Sequence, residues 1–292
     1  MSEPDGLVDR FEENRPRLRA VAYRMLGSLA EADDAVQEAW LRFSQADNSQ
    51  VRNVDAWLNT IVVRVCLNVL RSRSSRREQP LGVHVPDPIV SAPDGPTPED
   101  EALLADSVGL ALQVVLDTLK PAERLAFVMH DMFDLSFDEI GPLVGRAPAT
   151  ARQLASRARR RVRGADVPTP DPDLDRQREV VDAFFGAARR GDLDALVTVL
   201  DPDVVLRSDT GVPDASVEVR GAAVVAGRAV MFDRPASQVR PALVNGAAGA
   251  VVIVDGQVVS ILGFTVSDGR IVEIDTMADP ERIRRLDLGF LD

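Results

Sequence analysis

The stretch SFDEIGPLVGRAPATARQLASRARRRV, residues 136–162, contains two helix starts with a turn between them. Ser136 and Glu139 stand three apart, the spacing at which a hydroxyl and a carboxylate cap a helix reciprocally. Gly145 then permits a tight turn, and a second helix runs from about Pro148 to Val162. On that helix Ala151, Leu154, Ala155, Ala158 and Val162 fall at helical spacing and face inward. Arg152, Gln153, Ser156, Arg157, Arg159 and Arg160 face outward. Two helices joined by a short glycine-containing turn, the second cationic outside and small-residued inside, describe a helix-turn-helix. A helical hairpin with a solvated charged face would explain the apolar stripe. It would not explain a surface with seven arginines from Arg146 to Arg163 and no acid. Arg and Gln suit base edges in the major groove, and the run Arg159–Arg163 suits phosphates.

Working outward, Pro121 opens the preceding helix, PAERLAFVMHDMF, at the position where a missing N–H costs nothing. The whole chain has 292 residues and a net charge of −12, so the basic stretch is a patch on an acidic body. A second basic cluster holds Arg71, Arg73, Arg76 and Arg77. The length suits two or three compact units, and an apolar fraction of 45% can build a core. No run of about eighteen apolar residues occurs and the N-terminus is polar, so neither a membrane span nor a secretory signal is expected. Cys66 is the single cysteine; it can form neither an internal disulfide nor a zinc site, which fits a reducing cytoplasm. His84 and His130 have no partner at ligand spacing, so no metal or cofactor is expected.

Texture divides the chain. Residues 7–77 are helical in pattern, 78–100 are rich in proline and read as a flexible linker, and 101–164 return to helical spacing. After a Pro/Asp-rich hinge, 173–292 carries helices to about Leu200 and then short β-branched runs. Asp255-Gly256 and Asp268-Gly269 are hairpin turns.

In the first helical stretch, Ser28 and Glu31 start a helix whose inward stripe is Ala32, Val36, Ala39, Trp40 and Phe43. Asp34, Gln37, Glu38 and Leu41 share another face, and the residues alone favour plain solvation there. A polar loop, Ala46 to Val54, leads to a helix from about Asp55 with Leu58, Ile61, Val62, Val65 and Val69 inside. Arg64, Asn68 and Arg71 recur on its polar face, which suits either a phosphate backbone or solvent.

The strings AEADDAVQEAWLRF (30–43) and DAWLNTIVVRVCLNVLRSRSSRR (55–77) resemble the sigma-2 domain of extracytoplasmic-function sigma factors. The stretch quoted first resembles their sigma-4 domain, and the two domains stand in the family's order. The resemblance implies that Asp33, Asp34, Gln37, Glu38 and Leu41 dock on the clamp helices of the largest subunit of the RNA polymerase core. It implies that Asn59, Arg64, Asn68 and Arg71 serve the −10 element, and Thr150, Arg152, Gln153, Ser156, Arg157 and Arg160 the −35 element. The family often has Asn then Asp where this chain has Val65 and Asn68, which bears on −10 preference.

The helix-then-strand order of the last third resembles the SnoaL-like cone fused to one sigma subgroup, where it adjusts sigma activity in cis. That subgroup carries Trp-Leu-Pro-Glu-Pro, DGGG and Asn-Pro-Asp motifs; this chain has VHVPDP (83–88), SDTGV (208–212) and ADPERI (278–283). The expected fold is multidomain: two all-α domains, a sigma-2 helical bundle and a sigma-4 helix-turn-helix, plus a C-terminal α+β cone. An intramolecular contact between the sigma domains and the cone is implied. Asp209 and Asp275 are the carboxylates that could point into the cone, but the segment has no His, Cys, Tyr or Trp, so no catalysis is expected. A polymerase-independent DNA-binding regulator sensing a small ligand through the cone is the alternative function.

Overall fold

The computed structural model describes residues 3–46, 53–76, 83–95, 109–165, 167–231 and 237–291. Residues 47–52 of the polar loop, and Arg77, lie outside them. The chain forms two compact units: Met1–Gln79, Glu101–Asp106 and Val115–Asp166 make the first, and Pro80–Asp100, Ser107–Val114 and Val167–Asp292 the second.

Helices build the first unit: α1 (Glu3–Leu26), α2 (Leu29–Gln45), α3 (Val54–Arg76), the end of α4 (Gly109–Asp117), α5 (Pro121–Phe127), α6 (Phe137–Val144) and α7 (Pro148–Gly164). A single wide turn, Val128–Met132, continues α5. Ser28 accepts from the Glu31 amide at the start of α2, as its spacing predicts. Ala32, Ala35, Val36, Ala39 and Phe43 are buried along α2, while Trp40 is half-buried. On α3 the buried set is Leu58, Val62, Val63, Val65, Cys66, Leu67 and Leu70. Ile61 and Val69, expected inside, are half-buried, because α3 meets helices on more than one side and no single stripe describes it.

Two arginines finish α1. The last carbonyls of a helix have no partner within it. Here the Arg24 carbonyl accepts from Arg124 Nε at 3.0 Å and Nη2 at 2.9 Å, and the Leu26 carbonyl accepts from Arg73 Nη1 at 3.2 Å. Arg124 is 2% exposed and also pairs with Asp117; Arg73 also pairs with Glu31. The segments read as separate sigma-2 and sigma-4 domains are therefore joined within one unit by a buried guanidinium.

The second unit is a seven-stranded sheet of order β1-β4-β5-β6-β7-β2-β3: β1 (Val90–Ser91), β2 (Leu200–Asp209), β3 (Val217–Arg220), β4 (Ser237–Val244), β5 (Ala247–Val254), β6 (Gln257–Ser267) and β7 (Arg270–Met277). Only β2 and β7 run parallel among these pairs. The Asp255-Gly256 and Asp268-Gly269 turns have positive φ at both residues, as their dipeptides predict, and Asn245-Gly246 makes a third. Three helices, α8 (Leu174–Arg190), α9 (Leu193–Val199) and α10 (Ala222–Met231), cover one face, with Val181, Phe184, Leu196, Val225 and Phe264 in the core between. This is the α+β cone expected of the C-terminal part.

The other face holds a surprise for the linker reading. Residues 83–95 lack neither order nor packing: Val85, Ile89 and Val90 are buried, and β1 pairs with Leu243 and Val244 of β4. Ile89 and Asn245 exchange two hydrogen bonds, backbone to backbone at 2.8 Å and amide to side chain at 3.1 Å. Pro86 and Pro88 hold the strand-like path, since proline and the residue before it both favour extended backbone.

Arg124→Met keeps the length of the side chain but leaves the Arg24 carbonyl and Asp117 unpaired. Urea unfolding of the full chain should show the helical unit weakened by about 3 kcal/mol, the usual cost of removing one partner from a buried pair. A loss under about 1 kcal/mol would show that water replaces the guanidinium.

Candidate nucleic-acid and polymerase interfaces

The Ser136–Glu139 box is reciprocal: Glu139 N donates to Ser136 Oγ at 3.4 Å, and Ser136 N donates to Glu139 Oε2 at 2.9 Å. The Ser136 hydroxyl, donating to Glu139 Oε2 at 2.7 Å, and the Ser136 amide hold the Glu139 carboxyl below its usual range. Gly145 ends α6 at φ 69°, a conformation that a side chain would strain, and α7 starts three residues later. Ala151, Leu154, Ala155 and Ala158 are buried and Val162 is half-buried, so α7 seats closely on α5 and α6.

Arg152, Gln153, Ser156, Arg157 and Arg160 are exposed, and Thr150 is half-buried in the first turn of α7. The outer face is not as free of acids as the sequence suggested. Glu123, 6% exposed on α5, accepts from Arg157 Nε at 3.0 Å and Arg161 Nη1 at 3.3 Å. Asp131 accepts from Arg159 at 2.6 Å, and the Arg152 guanidinium stands 5.3 Å from the Phe137 ring. Arg146, Arg160 and Arg163 have no carboxylate partner among the described residues. Three of the seven arginines are thus fixed in position by acids more than twenty residues upstream. The inward spacing of Glu123 within PAERLAF was the available signal.

On α3, Arg64, Asn68 and Arg71 are exposed together on one face. Asn59 is not with them: it is 8% exposed, and its side-chain oxygen has no hydrogen-bond partner among the described residues. Asn59 therefore stands apart from the exposed stripe of Arg64, Asn68 and Arg71. Arg73 is committed to Glu31 and α1. On α2, Asp33, Asp34, Gln37 and Leu41 are exposed and Glu38 is half-buried. Asp33 holds Arg19 at 2.6 Å and Glu38 holds Arg42 at 2.8 Å, while Leu41 is 46% exposed beside them.

In the second unit the three short motifs meet. Asp209 accepts from the Val85 amide at 3.0 Å, the Gly211 amide at 3.0 Å and Arg282 Nη1 at 2.8 Å, with His84 Nδ1 at 3.1 Å. Arg282 also donates to Asp87 at 2.7 Å and to the Val85 carbonyl at 2.6 Å. Asp279 caps the short helix α11 (Pro280–Ile283) that presents Arg282. Gly211, at φ 75°, leaves the space Asp279 occupies: a Cβ there would stand 2.5 Å from its carboxylate. Burial alone would raise Asp209, but these donors outweigh it and bring the carboxyl down to about 2.

Asp209 and Asp275 therefore do not point into the cone. Strand alternation puts Leu206, Ser208 and Ile274 on the concave side and Arg207, Asp209 and Asp275 on the other. Asp275 is 2% exposed and bonds Arg207 at 3.1 Å; burial pushes it up to about 6 although Arg207 opposes this.

A helix-turn-helix with a cationic outer helix, packed in one unit with a helical bundle, is the architecture of a DNA-binding transcription factor. The family model for Sigma-70 region 2 matches residues 10–76, and that for Sigma-70 region 4 matches 109–162. The ECF RNA polymerase sigma factor SigJ of Mycobacterium tuberculosis is 38% identical over 292 residues, which span 94% of this chain and 92% of that one. The probable ECF RNA polymerase sigma factor SigI of the same species is 33% identical over 99% of both chains. The crystal structure of the M. tuberculosis extracytoplasmic function sigma factor SigJ superposes with a TM-score of 0.76 at 35% identity, covering 96% of this chain and 99% of that one. The chain belongs to the extracytoplasmic-function RNA polymerase sigma factors. It is an alternative sigma factor, directing RNA polymerase to promoters, with an added C-terminal cone. No helix among the described residues is long and apolar enough to cross a membrane.

Asp209 is held below its ordinary 3.8 in the folded chain, so its stabilisation is complete above that value and is lost as pH falls toward about 2. Asp209→Asn should lower the unfolding temperature of the second unit at pH 7. In thermal scans the gap from the parent should close as pH drops through that window. A gap independent of pH would show that shape, not charge, holds residues 83–95.

Proposed function

We propose that α7 reads the −35 element, that the exposed face of α3 serves the −10 element, and that α2 docks on the clamp helices of the polymerase core. The observation that carries this is the outer face of α7, where Arg152, Gln153, Ser156, Arg157 and Arg160 are all exposed while the alanines behind them are buried. Thr150, in the first turn of α7, adds a hydroxyl for a phosphate. Arg64, Asn68 and Arg71 form the corresponding stripe on α3. Asp33, Asp34, Gln37, Glu38 and Leu41 supply the polymerase contact, with Leu41 as its apolar centre.

The cone acts in cis, through its grip on residues 83–95, which lie between the two matched regions in the chain. A fused domain can bias a compact against an open state only if it binds one of them better, and the Asp209–Arg282–Asp87 cluster is such a differential contact. The protein works as a binding factor and not as an enzyme, since its two buried cone carboxylates are spent on arginines.

Arg152→Ala removes a base-reading side chain without stranding a buried acid, as Arg157→Ala would do to Glu123. It should lower −35-dependent transcription about tenfold and leave core binding in a pull-down unchanged. Equal loss of both would sink the assignment. The free chain should shift promoter DNA poorly without core polymerase; strong shifts alone would favour a polymerase-independent regulator. Deleting residues from 173 onward should change promoter output, and unchanged output would remove the cis role of the cone.

A further inference from the structure

The concave side of the sheet and helices α8 and α10 enclose a cavity of about 330 Å³, at the small end of ligand sites in proteins. Phe184, Phe185, Val225, Leu262 and Ile274 make most of its wall apolar. Five hydroxyl residues interrupt that wall: Thr210, Ser237 and three others. Ser208 and Thr276 stand directly opposite one another across β2 and β7, and Ser260 projects from β6. None of the three makes a side-chain hydrogen bond among the described residues.

Two cations complete the lining. Arg189, exposed on α8, and Arg228, half-buried on α10, both border the cavity, and neither has a carboxylate partner among the described residues. No Asp, Glu, His or Lys is in the described lining. Two other arginines at the sheet are paired: Arg207 with Glu273 and Asp275, and Arg282 with Asp87 and Asp209. An apolar wall of this extent gains when a hydrocarbon covers it. Two guanidinium groups without acids repel a cationic guest and draw an anionic one. The apolar wall in turn rejects a strongly hydrated polyanion or sugar.

We infer that this cavity binds an amphipathic carboxylic acid, whose carboxylate is held by Arg189 and Arg228 and whose hydrocarbon lies against Phe184, Phe185 and Leu262. The hydroxyls of Ser208, Thr276 and Ser260 accept or donate to any oxygen further along the guest. The acid is bound and not turned over, because the described lining offers no base, thiol or imidazole to take a proton. This goes beyond the promoter reading and does not rest on it.

The test is calorimetric titration of the full chain with decanoate and with decanol, without polymerase or DNA. Decanoate should bind saturably at one site per chain, with decanol about tenfold weaker. The double variant Arg189→Gln, Arg228→Gln should lose that preference, through weaker decanoate binding alone. Leu262→Trp fills the cavity and should abolish binding of both; Ser260→Phe serves the same purpose if that variant does not fold. The inference is overturned if decanoate shows no saturable binding, if decanol binds as tightly, or if the filled cavity binds as well as the parent.

Discussion

The helical unit depends on how the C-terminus of α1 is satisfied. A 24-residue helix that ends inside a bundle presents carbonyls that water cannot reach. Arg124, arriving from one hundred residues further along, supplies two N–H groups to the Arg24 carbonyl, and Arg73 supplies another to Leu26. Both guanidinium groups also sit at the negative end of the helix dipole, where cations are favoured. Each then needs an acid, Asp117 for one and Glu31 for the other, so four charges and two carbonyls are satisfied as a set. The presentation of α2 and α3 follows from it, because the turn Gly27–Ser28 and the late part of α3 are both anchored there.

In the second unit the period of two along the strands separates two chemistries. One residue faces an apolar space, the next an ionic cluster, and neither property leaks through the sheet. Arg207 and Asp209 lie beside Ser208 in the chain, yet they meet Asp275 and Arg282 while Ser208 meets the cavity. Grip on residues 83–95 and room for a guest are thus carried by the same strand on opposite sides.

Local signals were the legible ones. The Ser136–Glu139 box, the Gly145 turn, Pro121 and two Asp-Gly hairpins lie within a few residues of what they determine, and each stands where its chemistry put it. Asn245-Gly246 carried the same turn signal, masked by the small residues around it. What sequence could not give were contacts between distant segments. Glu123 neutralises Arg157 across 34 residues, and Asp87 reaches Arg282 across 195. The burial of Asn59 was not legible for a related reason: a polar side chain on a helix packed from several sides has no single outward face to claim. The packing of residues 83–95 was not legible because proline reports extended backbone, and extended backbone serves a sheet margin as well as a tether.

That margin has a further consequence for solubility. Among the described residues β4 has β5 on one side and the two residues of β1 on the other, so most of its outer rim has no described neighbour in the sheet. Such a rim invites strand addition from a second molecule. Arg240 places an exposed charge on it, Pro241 withholds an N–H, and β1 closes the greasy end at Leu243 and Val244. Residues 83–95 therefore act as a gatekeeper: while they stay seated, the stickiest stretch of the rim is never bare.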